Sequence, residues 1–472
     1  MSFKLISSEF SNKKLILSNN VKNNNNIFTL ITGKNGLGKT RLLNFIIYHF
    51  IKDTFKKNSY YYRSTNSDEF ELYDKLTNYS IEHTQIPAKI IVHTNSKFDK
   101  FPDEYTTGTK NYINISNGSR GRYSESSDIF EKILFSKNFN SKSIKDTLSY
   151  LNYSPLIHFR TSTISSSYTG GYLNKMSSKY EELLKKLDFD LSKPPQKFKK
   201  YQKKLLSVLY HFEEHNIKPP TDDEIKELYF LINEKQILDY FIDVTVDLNN
   251  NKYTYGHLQK NEFSLLIKYK LVRISNIYLN IESNDVNHLF LSENSQRKVS
   301  FFNLSSGQKS IINTLLGISS VIENNSLVCI DEPEISLHPE WQDEIIQKLQ
   351  EVFYETKGCH FLIATHSPHV VSGLNSENGF ILDLENNITH NSLDYSKKSA
   401  DFQLAKIFNS PGYNNEYIIK ICLFLLSKIK DQIIFDDSDI KNLNELKSFK
   451  SSMKLDDPVY YLVKEVISLS EV

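Results

Sequence analysis

Short apolar runs rich in β-branched residues alternate along this chain with stretches whose apolar positions recur at helical spacing. Near the N-terminus, "FKLISSEF" (3–10) and "KKLILS" (13–18) read as short strands, followed by the Asn-rich turn "NNVKNNNN". "IFTLITG" is an apolar strand that ends at Gly33, and "KTRLLNFIIYHFIKDTF" then carries its apolar residues at helical spacing. Strand, glycine loop and helix follow in that order. Lys56 to Glu82 is polar and reads as loop, and "AKIIVHT" (88–94) as a second buried strand.

Tyr105 to Tyr153 is rich in Ser, Asn, Gly and Tyr and has no clear period. From Tyr172 to about Ile242 the pattern is helical, cut by "KPP" at Lys193–Pro195 and "KPPTDDE" at Lys218–Glu224. The second cut predicts a helix start, with Thr221 as cap and Glu224 as its return partner. "VRISNIYLNIES" and "HLFLSENSQRKVSFFNL" return to strand alternation. An α/β segment runs from Phe301 to Asn387, and the remaining pattern is mostly helical.

The 472 residues allow two or three domains, and 39% hydrophobic residues is a globular composition. Lys+Arg (57) and Asp+Glu (56) nearly cancel, so whole-chain charge supplies no nucleic-acid footprint. "KPPQKFKKYQKK" (193–204) is a candidate local basic groove, but a solvated helix face is the favoured reading. Cys329, Cys359 and Cys422 lack CxxC spacing, which argues against a zinc site or disulfide scaffold. No signal peptide or membrane span is legible, so the expected location is the cytoplasm, with no membrane partner.

Gly33-Lys34-Asn35-Gly36-Leu37-Gly38-Lys39-Thr40 fits G-x-x-x-x-G-K-[ST], the Walker A loop, and Arg41 follows it. The glycines let successive backbone N–H groups surround a phosphate, and the helix start adds partial positive charge. Lys39 is expected at the β- and γ-phosphates of ATP, and Thr40 at Mg²⁺. "SLVCIDEP" (326–333) is an apolar strand running into Asp331 and Glu332. These are the expected metal-binding carboxylate of Walker B and the group that polarises the attacking water. "FLIATHSP" (361–368) ends a further strand at Thr365-His366, placing His366 for a γ-phosphate on a neighbouring strand tip.

"LSSGQ" (304–308) resembles the LSGGQ signature of ABC-type ATPases, with Ser306 where that family has its first glycine. In that family the signature of one subunit contacts the γ-phosphate held by the other. The resemblance therefore implies that Ser305, Ser306, Gly307 and Gln308 complete a partner's ATP site, and that the chain works as a homodimer or higher even-numbered oligomer. "DEPEISLHPEWQ" (331–342) and "ATHSPHVV" (364–371) resemble the heads of OLD-family and SMC-like soluble ATPases rather than transporters. The Q-loop glutamine of the family is not evident after "AKIIVHT", where Asn95 or Ser96 stands nearest. Sustained heptads are absent, so no long coiled-coil arm is expected.

The resemblance implies an α/β fold, a P-loop NTPase of ABC-ATPase type, with a helical insertion between Walker A and signature and a helical C-terminal tail. The expected division is 1–104 for the N-terminal lobe, 105–264 for the insertion, 265–390 for the C-terminal lobe and 391–472 for a partner-binding region. Such stand-alone heads are similar to ATPase subunits of bacterial anti-phage systems, of the PtuA (Septu, retron) and AriA (PARIS) types. That likeness implies a separately encoded effector, a nuclease in the leading reading, with nucleic acid engaged through the complex. Two alternatives stay open. One is a DNA-repair clamp of the SMC or RecF kind, binding DNA through Lys197, Lys199, Lys200, Lys203 and Lys204. The other is an OLD-like nuclease in which Asp437 and Asp439 of "QIIFDDSDI" form a degenerate acidic site, against the plainer reading of a solvated acidic turn.

Overall fold

The structure, a computed structural model, describes residues 2–52 except 12, 20, 22 and 23, then 80–96, 100–102, 109, 111–116, 130, 141–163, 208, 212, 220–282 and 298–470. The chain forms two compact units. The first comprises Met1–Ile129, Asn138–Ser143 and Ser306–Val472; the second comprises Phe130–Lys137 and Ile144–Ser305.

The first unit begins with β1 (Leu5–Phe10), β2 (Lys13–Ile16), β3 (Ile27–Thr32), α1 (Lys39–Ile51), β4 (Ile81–His83), β5 (Ile90–Thr94) and β6 (Tyr112–Asn114), and α2 (Ser141–Tyr150) starts in it and belongs to the second from Ile144. In the second unit lie β7 (Tyr153–Thr163), α3 (Asp222–Asn233), β8 (Ile242–Asp247), β9 (Lys252–Thr254), α4 (Lys260–Lys268), β10 (Val272–Ile281) and β11 (Lys298–Ser300). The first unit resumes with α5 (Ser306–Ser319), β12 (Leu327–Asp331), α6 (Pro339–Val352), β13 (His360–Ala364), α7 (Pro368–Gly373), β14 (Gly379–Asp383) and β15 (Ile388–Asn391). It ends with α8 (Ala400–Lys406), α9 (Glu416–Lys430), α10 (Asp437–Lys450) and α11 (Pro458–Ser470).

A seven-stranded sheet of order β15-β14-β3-β13-β12-β5-β6 organises the first unit. All its pairings are parallel except the β14–β15 hairpin. Parallel strands covered on both faces should be apolar throughout, and every residue of β3, β12 and β13 is buried. Leu42, Leu43, Ile46 and Ile47 of α1 join Leu5 and Leu15 of the small antiparallel sheet β2-β1-β4 in one core. Phe28 stacks on Phe361 at 4.6 Å between β3 and β13. The C-terminal helices share a further core of Ile418, Cys422, Leu425, Leu446, Phe449 and Val463.

The second unit is built on a five-stranded antiparallel sheet, β11-β10-β7-β8-β9. The capping box expected at Thr221 and Glu224 opens α3. The helical pattern read up to about Ile242 ends earlier, because Ile242 starts β8, whose residues alternate between buried and more exposed positions. The insertion therefore contains a sheet as well as helices. Its boundaries also differ from those read in the sequence. β6 pairs with β5, which places 112–114 in the first unit, while β10 pairs with β7 and draws 272–281 into the second. Two smaller readings change: Glu82 lies in β4 rather than in loop, and Phe301–Asn303 form a 3-10 turn rather than a strand end. The basic stretch 193–204, with Lys197, Lys199, Lys200, Lys203 and Lys204, lies outside the described residues.

Candidate functional site

The tips of β3, β13 and β12 stand side by side, with Ala364 paired to Ile31 on one side and to Asp331 on the other. That register brings the glycine loop, His366 and the Asp331-Glu332 pair to one end of the sheet, where open α/β folds bind ligands.

The loop from Gly33 to Gly38 leads into α1 without a side-chain cap, so the first N–H groups of the helix have no intrahelical acceptor. Gly38 takes φ 92 at that N-cap, a left-handed value that a side chain adopts only with strain. Asn35, Gly36, Leu37 and Arg41 are exposed around the loop. Lys34 turns aside and pairs with Glu385 at 2.6 Å, just beyond β14. The Lys39 ammonium donates to Gly33 O at 2.9 Å and lies 3.1 Å from His366 Nδ1. Burial lowers its pKa, against the opposing charges of Glu332, Asp331 and Glu334.

Thr40 Oγ1 donates to Asp331 Oδ2 at 2.9 Å. Asp331 Oδ1 is buried with no hydrogen-bond partner, and burial pushes the carboxyl up to about 6. A hydroxyl beside a carboxylate that holds an unsatisfied buried oxygen is a donor set suited to a hard divalent cation. Glu332, the residue just after β12, sits at φ 54, in the left-handed region, a strained value for a residue with a side chain. Its Oε1 lies 3.0 Å from His366 Nε2. Burial is the largest single influence and works against its charge, but hydrogen bonds from His366 and Glu334 and the charges of His366 and Lys39 together hold the pKa below the ordinary value. With Lys39 donating to Nδ1, the network assigns the proton of His366 to Nε2, giving a chain from Lys39 through His366 to Glu332.

Glu334 went unread in the sequence. Its Oε1 accepts from Thr365 Oγ1 at 2.8 Å and from His366 N at 2.7 Å. Its only sequence signal is a third acidic residue in "DEPE", separated from the pair by Pro333. Asn95, just after β5, is engaged in hydrogen bonds within the chain. Its amide donates to Pro333 O at 3.3 Å and to Thr314 Oγ1 at 3.4 Å, tying β5 to the Walker B turn and to α5.

The signature segment divides. Ser305 and Ser306 are exposed at the start of α5, Gln308 is half-buried, and Gly307 is buried. A Cβ at Gly307 would lie 2.8 Å from Trp341 Cζ3 and 2.9 Å from Ser336 O, so this glycine is required by packing within the chain. The tail carboxylates likewise have a structural explanation. Asp436 and Asp439 form a capping box at the start of α10, and Asp439, fully buried, pairs with Lys428 at 2.6 Å. The solvated acidic turn thus holds for the exposed Asp437 and is corrected for Asp439, which is a buried part of the capping box. A carboxylate tied to its own helix end and to a lysine is poorly placed as half of a metal pair with Asp437.

Among the described residues, no helix is long and apolar enough to cross a membrane. Over 450 residues the chain is 25% identical to "Retron Vc95 probable ATPase" of Vibrio cholerae serotype O1 biovar El Tor, covering 89% of this chain and 81% of that protein. A shorter match, 36% over 95 residues, links it to "Retron Ec83 probable ATPase" of Escherichia coli, covering 18% and 17% of the two chains. "Protein ea59" of Escherichia phage lambda is 31% identical over 108 residues, covering 23% of this chain and 20% of that one. A family model described as "AAA domain, putative AbiEii toxin, Type IV TA system" matches residues 28–372, which span the glycine loop, the Asp331-Glu332 pair and His366. The chain belongs to that AAA-domain family and is an ATPase.

Proposed function

We propose that this chain is the ATPase subunit of an anti-phage defence complex, whose nucleotide cycle controls a separately encoded effector, a nuclease in the simplest case. The observation that carries the reading is the long alignment with a retron-named ATPase. The site supports the hydrolytic part. Gly33–Thr40 and the start of α1 hold the phosphates, and Lys39 is drawn from Gly33 O to the β- and γ-phosphates. Mg²⁺, held by Thr40 and Asp331, would offset the phosphate charge. Glu332, kept ionised by His366 and Lys39, takes the proton of the attacking water, and His366 steadies the γ-phosphate.

Two heads close over two nucleotides, each lying between the glycine loop of one chain and the exposed Ser305 and Ser306 of the other. Exposed hydroxyls at a helix start support this assignment, since they have the chemistry of a phosphate contact. The C-terminal helices carry the effector. In this class PtuA of Septu and retron systems and AriA of PARIS are the types the sequence resembles. Glu332→Gln tests the reading: with ATP and Mg²⁺ it should accumulate as an ATP-bound dimer in light scattering, without phosphate release. A monomer in ATP, or native phosphate release from that variant, would refute it.

A further inference from the structure

We propose that Glu334 is a positioning residue for hydrolysis, fixing the main chain at His366 so that the imidazole bridges Lys39 and Glu332. The proposal rests on the reading of this site as the hydrolytic centre. Glu334 hangs from the turn after β12, while both of its donors, Thr365 Oγ1 and His366 N, belong to the tip of β13. One carboxylate oxygen thus stitches two strand tips together at 2.8 and 2.7 Å. The turn that carries it is itself held, by Glu332 N donating to Ala364 O at 2.9 Å and Leu337 N donating to Glu334 O at 3.0 Å.

The stitch continues into the following loop. Thr365 Oγ1, having given its proton to Glu334, accepts from Ser367 N at 3.0 Å, and Ser367 Oγ accepts from His369 N and Val370 N at the start of α7. Remove the acceptor at Glu334 and two donors beside a buried turn lose their partner together. The His366 ring, whose contacts at 3.1 and 3.0 Å depend on that main chain, loses its fixed origin. Burial, and then the neighbouring Glu332 charge, push Glu334 up to about 8. Both contacts are accepted by the single oxygen Oε1, a role that a glutamine carbonyl can also fill.

Glu334→Ala and Glu334→Gln in the full chain test this, with Glu332→Gln alongside. Glu334→Ala should lower kcat by about 10–100-fold, as a small misplacement of a catalytic group does. Its ATP affinity should stay within about threefold, the split expected when a transition-state contact is lost. Glu334→Gln should keep most of the native kcat, and amide exchange at His366 should quicken in the alanine variant and return to native in the glutamine one. Native turnover in Glu334→Ala, glutamine as inactive as alanine, or unchanged exchange at His366 would each overturn the proposal. Should Glu332→Gln turn over normally, the hydrolytic assignment fails instead, and the exchange measurement still decides the role of Glu334.

Discussion

Thr40 Oγ1 donates to Asp331 Oδ2 at 2.9 Å, joining residues 291 positions apart in the sequence. The bond couples the helix start after the glycine loop to the end of β12, and it sits where both groups would share a cation. Burial pushes the Asp331 carboxyl up to about 6, and a metal needs its ionised form. Mg²⁺-dependent ATP binding should therefore weaken as pH falls through about 6, because protons then compete for Asp331. Calorimetry with and without Mg²⁺ checks this, and in Asp331→Asn the Mg²⁺ dependence should be lost at every pH.

The chain of contacts from Lys39 through His366 to Glu332 separates two kinds of defect. His366→Ala should reduce kcat by roughly 10²-fold, the usual effect of losing one preorganised group at a developing charge. ATP affinity should barely change in that variant. Lys39→Ala removes a cation from the phosphates and should abolish measurable binding of a fluorescent ATP analogue.

Gly307 is fixed by its neighbours as well as by its place in the signature. Gly307→Ala forces a methyl toward Trp341 and Ser336 O, at a cost of roughly 1–3 kcal/mol for overpacking. A fall in Tm with no nucleotide present is the expected result. Adding Trp341→Ala should recover only part of it, because Ser336 O is backbone.

Two buried histidines make the fold acid-sensitive. His93, bonded to Thr314 Oγ1, is pushed down to about 4, and His360, between Thr29 Oγ1 and Leu5 N, to about 3, both by burial. Below the ordinary value of 6.5 the unfolded chain takes up protons that the folded sites refuse. Their stability contribution is complete above 6.5 and declines as pH falls toward about 4. The loss should be on the order of a few kcal/mol. Tm measured against pH should fall over that window, and more gently in His360→Gln.

Asp439→Ala should lower Tm by several degrees through loss of its cap and its Lys428 partner, while leaving ATP turnover unchanged. Loss of a metal-dependent nuclease activity in that variant, with Tm intact, would restore the acidic-site reading.

The phosphate loop and its flanks were legible because their chemistry is local: a strand, glycines at fixed spacing, and a helix. Asp331, Glu332 and His366 were legible because apolar strands end at them. Glu334 was not, since its importance comes from Thr365 and His366 on another strand, and no spacing rule links them. The packing of Gly307 against Trp341 escaped for the same reason. The sheet of the second unit was only partly read: β7, β8 and β9 are short or half-polar, and β7 pairs with β10 and β8, both far along the sequence, while only β8 and β9 form a local hairpin.

The strand order also governs how the molecule is made. Among the described residues, β3 pairs in the sheet with β13 and β14, so Thr32 meets Leu382 after 350 further residues have been synthesised. At about 10 residues per second, an apolar β-branched strand waits roughly half a minute beside the ribosome for its lateral partners. The inserted second unit, contiguous from Ile144 to Ser305 apart from one short segment, emerges complete in that interval. The sheet of the second unit, though later in sequence than β3, can thus close before "IFTLIT" gains its lateral partners.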